Sequence, residues 1–197
     1  MASAALKKRY TPQEYLVLER QAEFKSEYLD GIIIAMAGAS REHNLITGNL
    51  SRKIGNQLEH RPCETYTNDM RVLVSQTGLY AYPDVTVVCG EALFLDDDRD
   101  TLLNPTVIVE VLSPTTESYD RRKKSGHYRR LPSLREYILV AQDEVFVERY
   151  LRQGDVWLLT DLNRMDDTLS LTSIDCHVPL REIYARIEFP DVSPAEA

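Results

Sequence analysis

The chain is poor in the residues that staple small folds or hold zinc: it has 3 cysteines and 4 histidines in 197 residues. Cys63, Cys89 and Cys176 are far apart and odd in number, so a disulfide framework is not expected. They read as small buried hydrophobes in a reducing cytosol. His43, His60, His127 and His177 lack the HExxH or HxH spacing of a zinc site. No apolar run approaches the ~20 residues that cross a bilayer, so no membrane partner is expected. The opening MASAALKKRY places its lysines after a very short apolar stretch, the wrong order for a secretory signal. The protein is read as cytoplasmic. Internal repeats and low-complexity tracts are missing too. Positive charge is in short supply: 23 Lys and Arg face 31 Asp and Glu, a net charge of −8. That counts against a protein that coats nucleic acid non-specifically by neutralising phosphates. It leaves room for an enzyme that meets phosphate through a bound metal and one local basic patch.

What is present suits a single domain with enough length to bury a core. Residues 1–9 and 191–197 read as loose ends around a domain spanning 10–190. Thr11-Pro12 starts a helix, with Tyr15, Leu16 and Leu18 on its apolar side. FKSEYLDGIIIAMAG reads as a hairpin hinged at Asp30-Gly31. Ser40 opens a longer helix with Leu45, Ile46, Asn49, Leu50, Ile54 and Leu58 near helical spacing. Cys63–Thr67 and Met70–Ser75 alternate apolar and polar residues, as strands with one wet face do. Tyr82–Cys89 and Thr106–Ser113 are more uniformly apolar and read as central strands. Between them Asp96 to Asp100 lacks the spaced ligands and glycine of a calcium loop, and reads as solvated. After Pro114, the caps Thr115, Thr116 and Ser118 lead into a helix of about three turns. A strand in LPSLREYILVA, a hairpin around Gln153-Gly154-Asp155, a strand at 175–178 and a short closing helix complete the chain. The class is α/β or α+β with a central mixed sheet flanked by helices.

Two of the apolar strands carry an acid in an awkward place. Asp84 opens VTVV, and Glu110 interrupts TVIVEVL. An ionised carboxylate is costly in a dry sheet unless it is paired. Glu110 alone leaves three readings open: a solvated strand end, an ion pair with a buried cation, or a metal ligand shared with a second acid. The loop between the strands allows Asp84 and Glu110 to lie side by side. Two convergent carboxylates with the Val111 carbonyl form an oxygen set suited to Mg²⁺ or Mn²⁺. Asp120, Lys124 and Tyr128 follow at i, i+4 and i+8, so they share one helical face. Lys124 could reach back over the strand end. A solvated charged face is the other reading of that helix.

These residues resemble the Uma2 endonuclease family, within the PD-(D/E)xK nuclease superfamily. The resemblance spans residues 10–186. It is carried by Tyr10-Thr11 with Glu14-Tyr15-Leu16, by Ser26-Glu27-Tyr28-Leu29-Asp30-Gly31, and by His43 with Gly48-Asn49-Leu50. It continues through Pro83-Asp84-Val85, Glu110-Val111-Leu112-Ser113-Pro114-Thr115-Thr116, Asp120-Arg121-x-x-Lys124-x-x-x-Tyr128, and Arg135 to Val140. It implies a restriction-endonuclease-like core in which Asp84 and Glu110 ligate the metal. The superfamily's lysine, two residues past the acid, is replaced by Leu112. The resemblance places the functional lysine at Lys124. Glu27 matches an upstream acid, a third ligand or a supporting base. His43 matches a recurrent histidine whose expected role is in capping or in the core, and Tyr128 is a further accessory residue. Ile32 stands where an acid often follows Asp-Gly, and Leu134 replaces a turn glycine.

The function these features predict is Mg²⁺- or Mn²⁺-dependent hydrolysis of DNA phosphodiester bonds. Lys124 would orient or deprotonate water, its proton affinity lowered beside a metal, or stabilise developing charge. Arg121, Arg122, Lys123, Arg129 and Arg130 form the dense basic run, suited either to flanking phosphates or to surface ion pairs. Two rivals stand beside this reading: a non-catalytic dimerisation or DNA-docking module, and another metal-dependent phosphohydrolase. Val145–Leu151, Val156–Thr160 and Leu169–Thr172 read as exposed edges able to pair in a homodimer.

Overall fold

A computed structural model describes residues 8–114 and 117–189. The expected caps Thr115 and Thr116, and most of both expected loose ends, lie outside the described residues. The first helix, α1 (Pro12–Glu19), is fixed by a reciprocal cap: the Glu14 backbone donates to the Thr11 hydroxyl, and the Thr11 backbone donates to Glu14. It buries Tyr15 and Leu16 but leaves Leu18 47 % exposed, so Leu18 is not on its packed side as expected. The hairpin follows as β1 (Ser26–Leu29) and β2 (Ile32–Ala35), with Asp30 and Gly31 both at positive φ. That is the turn geometry two-residue hairpins require.

Helix α2 (Arg41–Leu58) is capped by the Ser40 hydroxyl and buries Ile46, Leu50, Ile54 and Leu58 as one stripe. The strands β3 (Cys63–Thr67), β4 (Arg71–Val74), β5 (Leu79–Ala81), β6 (Val85–Cys89), β7 (Thr101–Leu102) and β8 (Val107–Leu112) come next. A helical crossover leads to β9 (Glu136–Ala141). The hairpin β10 (Val147–Gln153) and β11 (Val156–Leu162), then β12 (Thr168–Leu171), β13 (Cys176–Pro179) and α5 (Leu180–Ile183), close the fold. The molecule is α+β.

The central sheet has six strands in the order β11-β10-β9-β8-β6-β3. Every neighbouring pair in it is antiparallel except β8 and β9. A parallel pair needs a crossover, and here the crossover supplies Lys124. A second sheet, not foreseen from the sequence, runs β2-β1-β5-β4-β7. It packs Val72, Val74, Leu79 and Ala81 against Ile108, Leu112, Tyr137 and Leu139 of the central sheet. The other face of the central sheet meets α2, β12, β13 and α5. Helix α1 covers the outer face of the second sheet through Tyr15, Leu16, Tyr28, Leu73 and Tyr80. Strand β4 is therefore buried at every position, and the expected one-sided alternation is not seen.

Three further expectations are corrected. Cys63 and Cys89 form a disulfide. They lie 26 residues apart, but β3 and β6 pair antiparallel and set them directly opposite. Only Cys176 is the free buried thiol expected. The acidic loop is not merely solvated: Asp96, Asp98 and Asp100 converge on Arg20 at 2.7, 2.7 and 2.8 Å. Asp100 also holds the buried Arg71 at 2.9 Å. Finally, β10 is interior, flanked by β9 and β11, and β12 buries Leu169 and Leu171. Of the three expected apolar edges, only β11 presents one, with Val156, Leu158 and Leu159 exposed.

Candidate active site

Alternation along β8 decides where Glu110 points. Val107, Val109 and Val111 face the α2 side, while Ile108 and Leu112 face the second sheet. Glu110 has the parity of the latter pair, so it enters the layer between the sheets, beneath the crossover. Strand β6 pairs Val85 with Val109, and continuing that register sets Asp84 opposite Glu110. Asp84 accepts the Val111 backbone N–H at 2.7 Å. The two acids thus sit at the same level of neighbouring strands, as expected.

The crossover begins as α3 (Glu117–Tyr119), widens into a π turn at Asp120–Lys124, and ends as α4 (Ser125–Tyr128). Asp120, Lys124 and Tyr128 are all buried, so their shared face is the inner one. The Lys124 ammonium lies 2.8 Å from Glu27, 2.9 Å from Glu110 and 3.8 Å from Asp120. The Tyr128 hydroxyl donates to the same Glu110 oxygen at 3.0 Å. Glu27 comes from β1, so the second sheet contributes directly.

Three carboxylates, Glu27, Glu110 and Asp120, therefore gather around one ammonium, with Asp84 opposite Glu110 on the neighbouring strand. Burial pushes the Glu110 carboxyl well above the usual range; Lys124 pulls it down, while Asp120, Asp84 and Glu27 push it up. Burial opposes the charge on Lys124, but Glu110, Tyr128, Glu27 and Asp120 outweigh it and raise its proton affinity. The lowered affinity expected from a metal neighbour is not what these acids impose.

His43 departs from its expected role. Its backbone N–H does bond the Ser40 cap, at 3.0 Å. Its ring, however, reaches Asp84, with Nε2 at 3.2 Å from Oδ2. Burial lowers the imidazole's proton affinity, but Asp84 and the Val111 carbonyl more than reverse this. The basic run divides. Arg121 is taken up by Glu117 and Glu148, while Arg122, Lys123, Arg129 and Arg130 are exposed. Asp120, although placed on the inner face by its spacing, was not singled out as a site residue. Its i, i+4 relation to Lys124 was the available signal.

The donor set fits a hard divalent ion. Asp84 and Glu110 offer carboxylate oxygens, Val111 a carbonyl, and the excess of acid over base calls for added positive charge. No group of three His, Cys, Asp or Glu side chains forms a cage among the described residues. Mg²⁺ needs no such cage, since one or two carboxylates and several waters complete its shell.

Comparisons with known proteins show the family and the fold. The Uma2 family, described as "putative restriction endonuclease", matches residues 12–178. Two uncharacterised Synechocystis proteins are similar. One, sll1609, is 42 % identical over 82 % of this chain and 92 % of its own length. The other, slr1290, is 35 % identical over 92 % and 94 % respectively. The crystal structure of a "putative nuclease belonging to DUF820" from Anabaena variabilis superposes with a TM-score of 0.74. It shares 20 % identity and covers 89 % of this chain and 97 % of its own, so it shows the fold. By the extent of the family match and the identity to these relatives, the chain belongs to the Uma2 family.

Proposed function

We propose that the protein is a divalent-metal-dependent endonuclease acting on DNA. The observation that carries this is the convergence of Asp84 and Glu110 from adjacent strands on a site completed by Lys124 and Glu27. When bound at Asp84, Glu110 and the Val111 carbonyl, Mg²⁺ or Mn²⁺ supplies an acidified water and neutralises charge on phosphate. The remaining work belongs to side chains. Lys124, held protonated by its acids, offers positive charge to a phosphate oxygen; that favours charge stabilisation over a base role. Glu27 and Tyr128 fix the ammonium and Glu110 in place. His43 orients the Asp84 carboxylate. Arg122, Lys123, Arg129 and Arg130 hold flanking phosphates of the duplex.

A second reading, a non-catalytic docking module, draws on the same distances: Glu110 and Asp84 already have protein partners. A homodimer joined through the outer edge of β11 suits either reading, because that edge carries exposed Val156, Leu158 and Leu159. The test is nicking of supercoiled plasmid with Mg²⁺ or Mn²⁺, beside EDTA and an Asp84→Asn/Glu110→Gln variant. Metal-dependent nicking lost in the folded variant supports the nuclease. No cleavage of DNA, with no rise in melting temperature on adding metal, leaves the docking module.

A further inference from the structure

Each of the two strand acids has one oxygen taken up twice and the other left over. Asp84 Oδ2 accepts the Val111 backbone N–H at 2.7 Å and lies 3.2 Å from His43 Nε2. Glu110 Oε1 accepts the Tyr128 hydroxyl at 3.0 Å and lies 2.9 Å from the Lys124 ammonium. A carboxylate oxygen has two lone pairs, so two such neighbours fill it. Among the described residues, no hydrogen bond engages Asp84 Oδ1 or Glu110 Oε2. The two side chains are 12 % and 5 % exposed, so the pair is not sealed off. The neighbours that do the filling are themselves held in place. Tyr128 is fully buried at the end of the crossover, His43 sits in the first turn of α2, and the Val111 N–H belongs to β8.

Divalent ions differ in what they ask of such a pair. Ca²⁺ takes six to eight oxygens and often grips a carboxylate by both of its own; Mg²⁺ is content with one or two carboxylates and keeps its waters. Mn²⁺ shares the octahedral preference. We infer that His43 and Tyr128 are positioning residues that confine Asp84 and Glu110 to one free oxygen each, so that the site takes Mg²⁺ or Mn²⁺ in preference to Ca²⁺. This rests on the metal site of the nuclease reading above. Each residue acts through the acid it holds.

The test compares wild type, Tyr128→Phe and His43→Leu at one fixed pH. Mn²⁺ binding is read from the loss of the free ion's electron paramagnetic resonance signal, and Mg²⁺ or Ca²⁺ is then added to displace it. With wild type, Mg²⁺ displaces Mn²⁺ at a concentration at least about 10-fold below that needed with Ca²⁺. In either variant the gap narrows to about 3-fold or less, since a second oxygen becomes available to Ca²⁺. A role in folding alone would weaken all three ions equally and leave the gap at its wild-type value, which would overturn the proposal. Tyr128→Phe removes one oxygen atom and keeps the ring, so it carries the test if His43→Leu does not fold. Ca²⁺ matching Mg²⁺ in the wild type would also overturn it. If the wild type binds none of the three ions, the metal-dependent nuclease reading fails and takes this proposal with it. If it discriminates among them but never nicks DNA, the selection stands and the nuclease reading alone fails.

Discussion

Lys124 is the residue on which the buried acids depend. Replacing it with Met keeps much of the volume but leaves Glu27 and Glu110 without their cation. Breaking a buried pair from one side costs about 3–5 kcal/mol. Urea denaturation of Lys124→Met should show a loss of that order, and a Glu110→Gln/Lys124→Met double variant should recover part of it. An additive double variant would mean that the two groups are not coupled. A different acid governs the low-pH limb. Asp100 is held below the usual carboxylate range, first by its hydrogen bond to Arg20, against burial, and then by Thr101 and Arg71. A depressed folded-state pKa contributes stability that is complete above the unfolded value, about 4. That contribution disappears as pH falls through the folded value. Melting temperatures measured from pH 7 down should hold steady for this interaction to about pH 4 and then decline. Asp100→Asn should be less stable at pH 7 and show a shallower acid decline; an unchanged slope would sink the assignment.

Elements carry their own predictions. Leu50 sits fully buried in the middle of the α2 stripe that covers the central sheet. Leu50→Ala should lower stability by about 2–5 kcal/mol in a chemical melt. The β1–β2 turn is more exacting than its exposure suggests. Gly31 has φ +83°, and a Cβ there would meet the Arg9 Cβ at 3.1 Å. Gly31→Ala should therefore cost about 1 kcal/mol or more, and should weaken the site because β1 delivers Glu27. Thermal melting and plasmid nicking together read both effects. Much at this scale was legible. The Thr11-Pro12 start, the Ser40 cap, the Asp30-Gly31 turn and the Gln153–Asp155 hairpin all rest on local backbone chemistry that one stretch of sequence contains. What was not legible depends on pairing between distant strands. The cysteines looked unpaired because nothing local shows that β3 lies beside β6. The acidic loop looked solvated because Arg20 and Arg71 come from elsewhere in the chain. Asp84 and Glu110 stood out because a carboxylate in an apolar strand conflicts with its surroundings.

For the whole molecule, β11 bears on assembly. Its outer edge ends the central sheet, and Val156 and Leu158 lie 63 % and 50 % exposed on one of its faces. Natural edges of this kind are usually guarded by lysine, proline or a bulge, and β11 has neither lysine nor proline. Sedimentation should find a dimer that Leu158→Lys dissociates with little change in the monomer's melting temperature; a monomeric wild type would refute the seam. No helix among the described residues is long and apolar enough to cross a membrane.

The supply of the site's charges from separate layers has a consequence for how the molecule is made. Glu27 rides on the second sheet, Asp84 and Glu110 on the central one, and Lys124 on the connection between two strands of the latter. Neither sheet owns the cluster, so no fragment that folds by itself can hold it. During synthesis the crossover must emerge and β9 must dock beside β8 before the ammonium is seated. The chain therefore passes most of its growth without the full charge cluster, which arises late, as a property of the docked layers together.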